Sequence, residues 1–248
     1  MSYDHGRFVW FELVTDDADR AKPFYAEVMG WKHTEMDMPG GVKYPMFLAG
    51  ETPLGGYAPP PKTDLPTHWV SYVSVDDVDA AAERVESAGG KILMDAFNAP
   101  GVGRMQPVAD PEGAAFFLFK GETQDNDAAT GAGSIHWNEL MSKDPEKTIA
   151  FYRDVLGYEV ETRQMPQGPY YVLKNGNEMR GGVMKLPVDA PSHWMQYVTV
   201  DDCDAALKRA KQNGGEIIGE VMDVEGVGRF AHLRDPLGAH IGVITPAS

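Results

Sequence analysis

Between Phe8 and Val14 the chain reads F-V-W-F-E-L-V, and alternation puts Trp10, Glu12 and Val14 on one face of a strand, with Val9, Phe11 and Leu13 on the other. From Thr15 the apolar spacing becomes helical. Ala18, Ala21, Phe24, Tyr25 and Val28 form the stripe, acidic residues fill the first turn, and Gly30 stops the helix. Pro23 inside that stretch predicts an irregular turn, because an interior proline removes a hydrogen bond and crowds the preceding turn. Three short strands follow between Trp31 and Ala58, separated by Pro39-Gly40-Gly41 and by Gly50 to Pro53. From Trp69 to Val75 a strand sets Val70, Tyr72 and Ser74 against Trp69, Val73 and Val75. A second helix then starts at Asp76-Asp77, carries Val78, Ala81, Ala82 and Val85 as its stripe, and ends at Gly89-Gly90. Strands fill Lys91 to Phe119, so this half divides into two β-α-β-β-β quarters.

The pattern then comes back. P-T-H-W-V-S-Y-V-S-V-D-D-V-D-A-A-A at Pro66 to Ala82 returns as P-S-H-W-M-Q-Y-V-T-V-D-D-C-D-A-A-L at Pro191 to Leu207. In the same register Trp10 and Glu12 match Trp137 and Glu139, Phe24-Tyr25 matches Phe151-Tyr152, and Gly55-Gly56 matches Gly181-Gly182. Gly89-Gly90 likewise matches Gly214-Gly215, Gly103-Arg104 matches Gly228-Arg229, and Asp110-Pro111 matches Asp235-Pro236. A period this long denotes two like domains rather than a stacked array. The expected division is residues 1–120, a linker at 121–133 with no apolar period, and residues 134–248. Helices are expected at Asp144 to Leu156 and Asp202 to Asn213, and a last strand at Ala239 to Ile244. The fold class is α+β.

The formal charge of -15, from 22 basic and 37 acidic residues, would repel a nucleic-acid backbone or an anionic lipid surface. The expected partner is a small molecule, with no nucleic acid and no membrane, and the chain acts as a monomer (an internal pseudo-dimer) or a homodimer. Cys203, the single cysteine, rules out an internal disulfide and a thiolate zinc site and fits a reducing compartment. Without a signal-like run at Met1 to Arg7 or a spanning apolar segment, the expectation is a cytoplasmic protein.

The β-α-β-β-β quarters, F-Y in the first helix of each half, V-D-D with G-G, and D-P-x-G-A before the last strand together resemble the vicinal oxygen chelate superfamily of glyoxalases, bleomycin-resistance proteins and extradiol dioxygenases. H-W-x-x-Y-V-x-V-D-D and G-V-G-R resemble its tandem glyoxalase-like branch. The resemblance implies four βαβββ modules in two tandem domains, each a curved mixed sheet around a cavity. It also implies metal ligands at set strand positions. Those positions fall on Trp10, Gly56, Val70 and Phe117 in the first half and on Trp137, Gly182, Met195 and Gly242 in the second, and none supplies a usual ligand side chain. A displaced set, Glu139, His193 and His240, has the ligand types of an iron or zinc site.

Glu12 and Glu139 share a strand face with a tryptophan. Each is either a general base for a proton next to a carbonyl or a structural hydrogen-bonding group. His68 and His193 have the same two readings, a catalytic one and a hydrogen bond at the strand mouth. Arg104 and Arg229 either clamp an anionic group or form an interdomain ion pair. Trp10, Tyr72, Phe117, Trp137, Met195 and Tyr197 would line a cavity for a flat or partly apolar ligand. His5 and His33 read as surface residues. The resulting expectation is a lyase or isomerase of small oxygenated metabolites, using acid-base chemistry without the usual metal; a divalent metal is the cofactor considered. The alternatives are a ligand-binding or sequestration protein of the bleomycin-resistance type and a protein-interaction module.

Overall fold

The computed structural model describes residues 4–62, 65–125, 128–165 and 168–247. Among the described residues the chain forms four helices and two mixed sheets. The first half runs β1 (Phe8–Val14), α1 (Ala18–Met29), β2 (Lys32–Met38), β3 (Val42–Ala49) and β4 (Thr52–Ala58). It continues with β5 (His68–Ser74), α2 (Val78–Ser87), β6 (Lys91–Ile92), β7 (Phe97–Ala99), β8 (Gly103–Ala109) and β9 (Ala115–Gly121). The second half repeats the plan as β10 (Ile135–Ser142), α3 (Pro145–Leu156), β11 (Glu159–Met165), β12 (Gly168–Asn175) and β13 (Glu178–Lys185). It ends with β14 (His193–Thr199), α4 (Cys203–Gln212), β15 (Glu216–Val224), β16 (Gly228–Arg234) and β17 (His240–Pro246). Strand order is β2-β3-β4-β1-β5-β9-β8-β6 in one sheet, with β7 on β8, and β11-β12-β13-β10-β14-β17-β16-β15 in the other. The α+β class and the tandem β-α-β-β-β plan follow directly. The expected linker, Gly121 to Gly133, contains residues 126 and 127, which lie outside the described residues.

Two compact units cut across the sequence halves. The first gathers Met1–Trp10, Val70–Asn126 and Trp137–Trp194, and the second Phe11–Trp69, Asp127–His136 and Met195–Ser248. Each takes its core from both halves. In the first unit Trp194 Nε1 donates to the Tyr152 hydroxyl at 2.8 Å, and that hydroxyl donates to Asp110 Oδ2 at 3.3 Å. Asp110 Oδ1 accepts the backbone N–H groups of Glu112 and Ala114, both at 2.9 Å. Phe151 covers Gly90 so closely that a Cβ there would stand 2.7 Å from its ring. In the second unit Trp69 Nε1 donates to Tyr25 at 3.1 Å, and Tyr25 to Asp235 Oδ2 at 2.7 Å. Asp235 Oδ1 takes the N–H groups of Leu237 and Ala239, and Phe24 covers Gly215. Burial pushes the Tyr25 and Tyr152 phenols well above their ordinary range, and the neighbouring aspartate adds to it. Both therefore remain hydroxyl donors.

Helix boundaries obey local rules. Asp17, Asp77, Asp144 and Asp202 each cap a helix by accepting the N–H three residues on, and Gly30 and Gly157 end α1 and α3 in the left-handed conformation. The expected irregularity at Pro23 does not occur, because α1 runs through it. Pro23 lies on the exposed side, where water can take the carbonyl it leaves unbonded. The second quarters differ between halves: β15 is one strand with a register shift between Ile218 and Met222, whereas its counterpart breaks into β6 and β7. His33 is half-buried and hydrogen-bonds the Lys22 carbonyl at 3.0 Å, so it is no simple surface residue. Cys203 is buried, and burial pushes its thiol up to about 11. Among the described residues no helix is long and apolar enough to cross a membrane.

One unit carries an extra clasp. Glu112 accepts hydrogen bonds from the Ser142 and Ser192 hydroxyls at 2.8 and 2.7 Å and from the N–H groups of Lys143 and Asp144 at 2.9 and 2.7 Å, at the start of α3. Burial alone would raise this carboxyl, but those four donors outweigh it and hold the group below its ordinary 4.5. A carboxylate held low contributes stability above about pH 4.5 and loses it as pH falls through the folded-state value. Glu112→Gln should accordingly flatten the acid limb of urea stability measured from pH 6 to 3, and an unchanged limb counts against the clasp. Tyr152→Phe strands Asp110 Oδ2 and the Trp194 N–H, and should lower unfolding free energy by about 1–3 kcal/mol in urea titration at pH 7.

Candidate functional site

The candidate residues lie on the strand faces turned away from these core networks. In the first unit β10 and β13 pair in parallel with Glu139 opposite Gly182. A Cβ on Gly181 would stand 3.5 Å from the Trp194 ring, so Gly181 and Trp194 share the core side. By alternation Gly182 and His193 turn to the opposite side, and Glu139 goes with its register partner Gly182. The two residues expected to carry acid-base chemistry thus share a face.

Glu139 is 7% exposed and accepts a 2.8 Å hydrogen bond from the Tyr170 hydroxyl, which itself receives the Trp137 indole N–H at 2.7 Å. Indole to phenol to carboxylate is a directed chain. Burial pushes the Tyr170 phenol far up, and the Glu139 charge pushes it further, so it stays a donor at any working pH. A Cβ at residue 182 would lie 2.0 Å from the Tyr170 oxygen; the glycine is what lets the phenol reach the carboxylate. The second unit repeats the couple: Tyr44 donates to the buried Glu12 at 2.6 Å, and a Cβ on Gly56 would meet Tyr44 at 2.3 Å.

His193 Nδ1 lies 2.9 Å from the Pro191 carbonyl, and His68 Nδ1 lies 2.8 Å from that of Pro66. A carbonyl only accepts, so Nδ1 donates in both rings and leaves Nε2 as the nitrogen not engaged by that bond. For His193 that Nε2 is covered and has no hydrogen-bond partner.

Tyr72 lies flat on Phe117, its register partner, with centroids 4.3 Å apart and planes at 4°. At the matching place in the second unit Tyr197 opposes Gly242, whose missing side chain makes room for the ring, and the Tyr197 hydroxyl reaches His232 Nε2 at 2.7 Å. Arg104 and Arg229 are committed elsewhere. Each grips an aspartate of its own half, Asp79 at 2.5 and 3.0 Å and Asp204 at 2.9 Å twice, which replaces the expected interdomain pair. Trp10 and Trp137 are half-buried, Met195 is buried, and His240 is exposed. A groove of about 370 Å³ is lined by Ser134, His136, Thr199 and Pro246 among others, and by none of the candidate residues.

Tyr44, Tyr170 and His232 were missed by sequence reasoning. Tyr44 stands as far before Gly56 as Tyr170 does before Gly182, a spacing that carried the signal once the halves were aligned. His232 has no counterpart, since Pro107 occupies its register.

A family model for the Glyoxalase/Bleomycin resistance protein/Dioxygenase superfamily matches residues 7–118 and again 134–243. The chain belongs to this superfamily. It is 38% identical, over 99% of its length and 97% of the relative's, to CFP32 of Mycobacterium tuberculosis (strain CDC 1551 / Oshkosh), whose name provisionally calls it a glyoxylase. It is 32% identical to the anthracycline biosynthesis protein DnrV of Streptomyces peucetius, over 96% of this chain and 93% of that one. Among solved structures, the Mn(II)-bound glyoxalase from Novosphingobium aromaticivorans shares the fold with a TM-score of 0.66 at 21% identity, covering 97% of this chain and 81% of that one. An extradiol ring-cleaving dioxygenase from B. fuscum shares it with a TM-score of 0.68 at 16% identity, covering 100% and 73%.

Solved members of this fold include a manganese enzyme, so the donor set was tested against a metal. The family positions hold tryptophan, glycine, valine, methionine and phenylalanine, and phenols fill the space a side chain at Gly56 or Gly182 would need. Among the described residues no three His, Cys, Asp or Glu side chains form a metal-binding group, so the displaced set Glu139, His193 and His240 is not assembled. These residues do not fit a metal. Gly182→Ala should expel Tyr170, costing about 1–3 kcal/mol by overpacking and changing the near-ultraviolet circular dichroism of Trp137; an unaltered spectrum and stability would contradict the packing described.

Proposed function

We propose that this protein is a glyoxalase-like enzyme catalysing proton transfer on a small oxygenated metabolite, a lyase or isomerase that works without the family metal. The observation that carries the reading is the buried Glu139 carboxylate, held by the Tyr170–Trp137 chain on the face it shares with His193. Glu139 takes the proton from the hydroxyl-bearing carbon next to a carbonyl. The C–H electron pair becomes the carbon–carbon double bond, the carbonyl electron pair moves to its oxygen, and that oxygen takes the proton that the neighbouring hydroxyl releases through His193. For an isomerisation the same proton returns to the neighbouring carbon. Tyr170 fixes the carboxylate, and His193 handles the hydroxyl proton. Glu12 with Tyr44, and His68, form the corresponding set in the second unit.

A binding role without turnover is favoured by the flat, partly open Tyr72–Phe117 stack, and one relative is named for anthracycline biosynthesis. Under that reading Trp10, Trp137, Tyr72 and Phe117 meet an aromatic ligand in the first unit, Tyr197 meets one in the second, and Arg104 and Arg229 stay on their aspartates.

The two readings part on carbon acidity. With 1,3-dihydroxyacetone in heavy water, proton NMR should show protein-dependent loss of the carbon-bound hydrogens, slowed about 10²-fold or more in Glu139→Gln and at least tenfold in His193→Ala. Exchange no faster than in buffer, or unchanged in Glu139→Gln, would falsify the enzymatic reading and leave the binding one.

A further inference from the structure

Each unit contains the same turn, matched hydrogen bond for hydrogen bond. In the first unit Gly6 N–H donates to the Ser74 carbonyl and Ser74 N–H to the Arg7 carbonyl, both at 2.8 Å, and Arg7 N–H donates to the Asp4 carbonyl at 2.9 Å. In the second, Gly133 N–H donates to the Thr199 carbonyl and Thr199 N–H to the Ser134 carbonyl, both at 2.8 Å, and Ser134 N–H donates to the Gly131 carbonyl at 3.1 Å. A buried ring holds the glycine carbonyl in both copies, the Tyr158 hydroxyl donating to Gly6 at 2.5 Å and Trp31 Nε1 to Gly133 at 2.7 Å. Asp4 and Gly131 are therefore equivalent positions, as are Ser74 and Thr199.

In the first unit this turn binds a carboxylate. Asp125 Oδ2 accepts the Asp4 N–H at 2.7 Å and the Ser74 hydroxyl at 2.8 Å, and Asp125 is 9% exposed, over a Ser74 that is fully buried. Hydrogen bonds to an ionised oxygen are the strong ones, and here two converge on a single atom. In the second unit the equivalent donors open onto the groove of about 370 Å³, which Gly131 and Thr199 line together with Ser134, His136 and Pro246. Gly131 is exposed and Thr199 half-buried, so the surface that Asp125 covers in one copy is accessible in the other. Ser134 Oγ gives its proton to the Gly131 carbonyl at 2.6 Å and lies 3.4 Å from the Thr199 hydroxyl, which keeps its own proton to give. Among the described residues lining the groove there is no aspartate or glutamate to repel an anion.

We propose that this groove of the second unit binds the carboxylate of a small molecule, one oxygen taking the Gly131 N–H and the Thr199 hydroxyl as Asp125 takes their equivalents. None of the acid-base residues lines it, so the inference stands apart from the proposed reaction. The net charge of -15 disfavours anions over the surface as a whole, and a carboxylate is therefore held here by short donor contacts rather than by long-range steering.

The test follows the Gly131 amide by proton–nitrogen NMR of the full chain while acetate replaces chloride at constant ionic strength. The amide proton should move downfield saturably. Acetamide, the neutral counterpart of acetate, should act about tenfold more weakly or less. Thr199→Val keeps the shape, removes the hydroxyl and should weaken the acetate response about tenfold or more. Thr199→Ser, which installs the residue of the first unit, should keep the response, with the melting temperature of both variants checked. No saturable shift, an equal response to acetamide, or an undiminished response in Thr199→Val overturns the proposal. Diluting the protein should leave the acetate response unchanged; a shift that depends on protein concentration without acetate assigns the groove to a carboxylate of a second copy and overturns the small-molecule site.

Discussion

The structure depends on a tyrosine hydroxyl that is buried twice over, once in each compact unit. Tyr152 and Tyr25 each receive a tryptophan N–H and give their proton to an aspartate, and the aspartate's other oxygen takes two backbone N–H groups from the turn before the last strand. A buried charge is tolerated only when it is paired and hydrogen-bonded, and here every step of the chain satisfies the next. Because tryptophan, tyrosine and aspartate come from a strand, a helix and a turn, the network fixes three elements at once. In each unit the tyrosine comes from one sequence half and the aspartate from the other. Neither half can satisfy its own network.

That dependence explains which parts of the molecule were legible in the sequence. H-W, F-Y, G-G and D-P recur because Trp194 bonds Tyr152, Phe151 covers Gly90, and Tyr152 bonds Asp110, with the same couplings in the other unit. The motifs that most clearly marked the repeat are therefore structural, and they announce the fold rather than the chemistry. Helix limits were readable from caps and glycines, and the strand faces from alternation. What could not be read is partnership across strands. Tyr170 and Glu139 are far apart in the chain, and nothing local to either shows that a phenol meets the carboxylate; the link is Gly182, whose missing Cβ opens the path. Likewise the arginines of G-V-G-R looked available until the helix aspartates Asp79 and Asp204 were placed beside them.

The Tyr–Gly couple also bears on why the family's metal positions are bare here. A glycine at residue 56 or 182 removes a possible ligand and in the same stroke admits a phenol at hydrogen-bonding distance from the neighbouring strand's glutamate. The carboxyl group that remains accepts a hydrogen bond from a phenol in each unit. Both units carry the same tyrosine, glutamate and glycine arrangement.

Where the two copies have diverged, the change follows the geometry of the sheet. Tyr72 and Tyr197 are equivalent, but the partner across the parallel pair is Phe117 in one copy and Gly242 in the other, and the residue opposite that partner is Pro107 or His232. A flat stack needs a ring beneath the tyrosine and no polar atom beyond it. A phenol–imidazole contact at 2.7 Å needs the opposite, an empty position beneath and a polar partner beyond. The two replacements are complementary: Gly242 leaves room for the Tyr197 ring, and His232 meets its hydroxyl. Core networks tie three elements together and resist such change, while this face ties only adjacent strands. At this position the second copy is the more polar of the two.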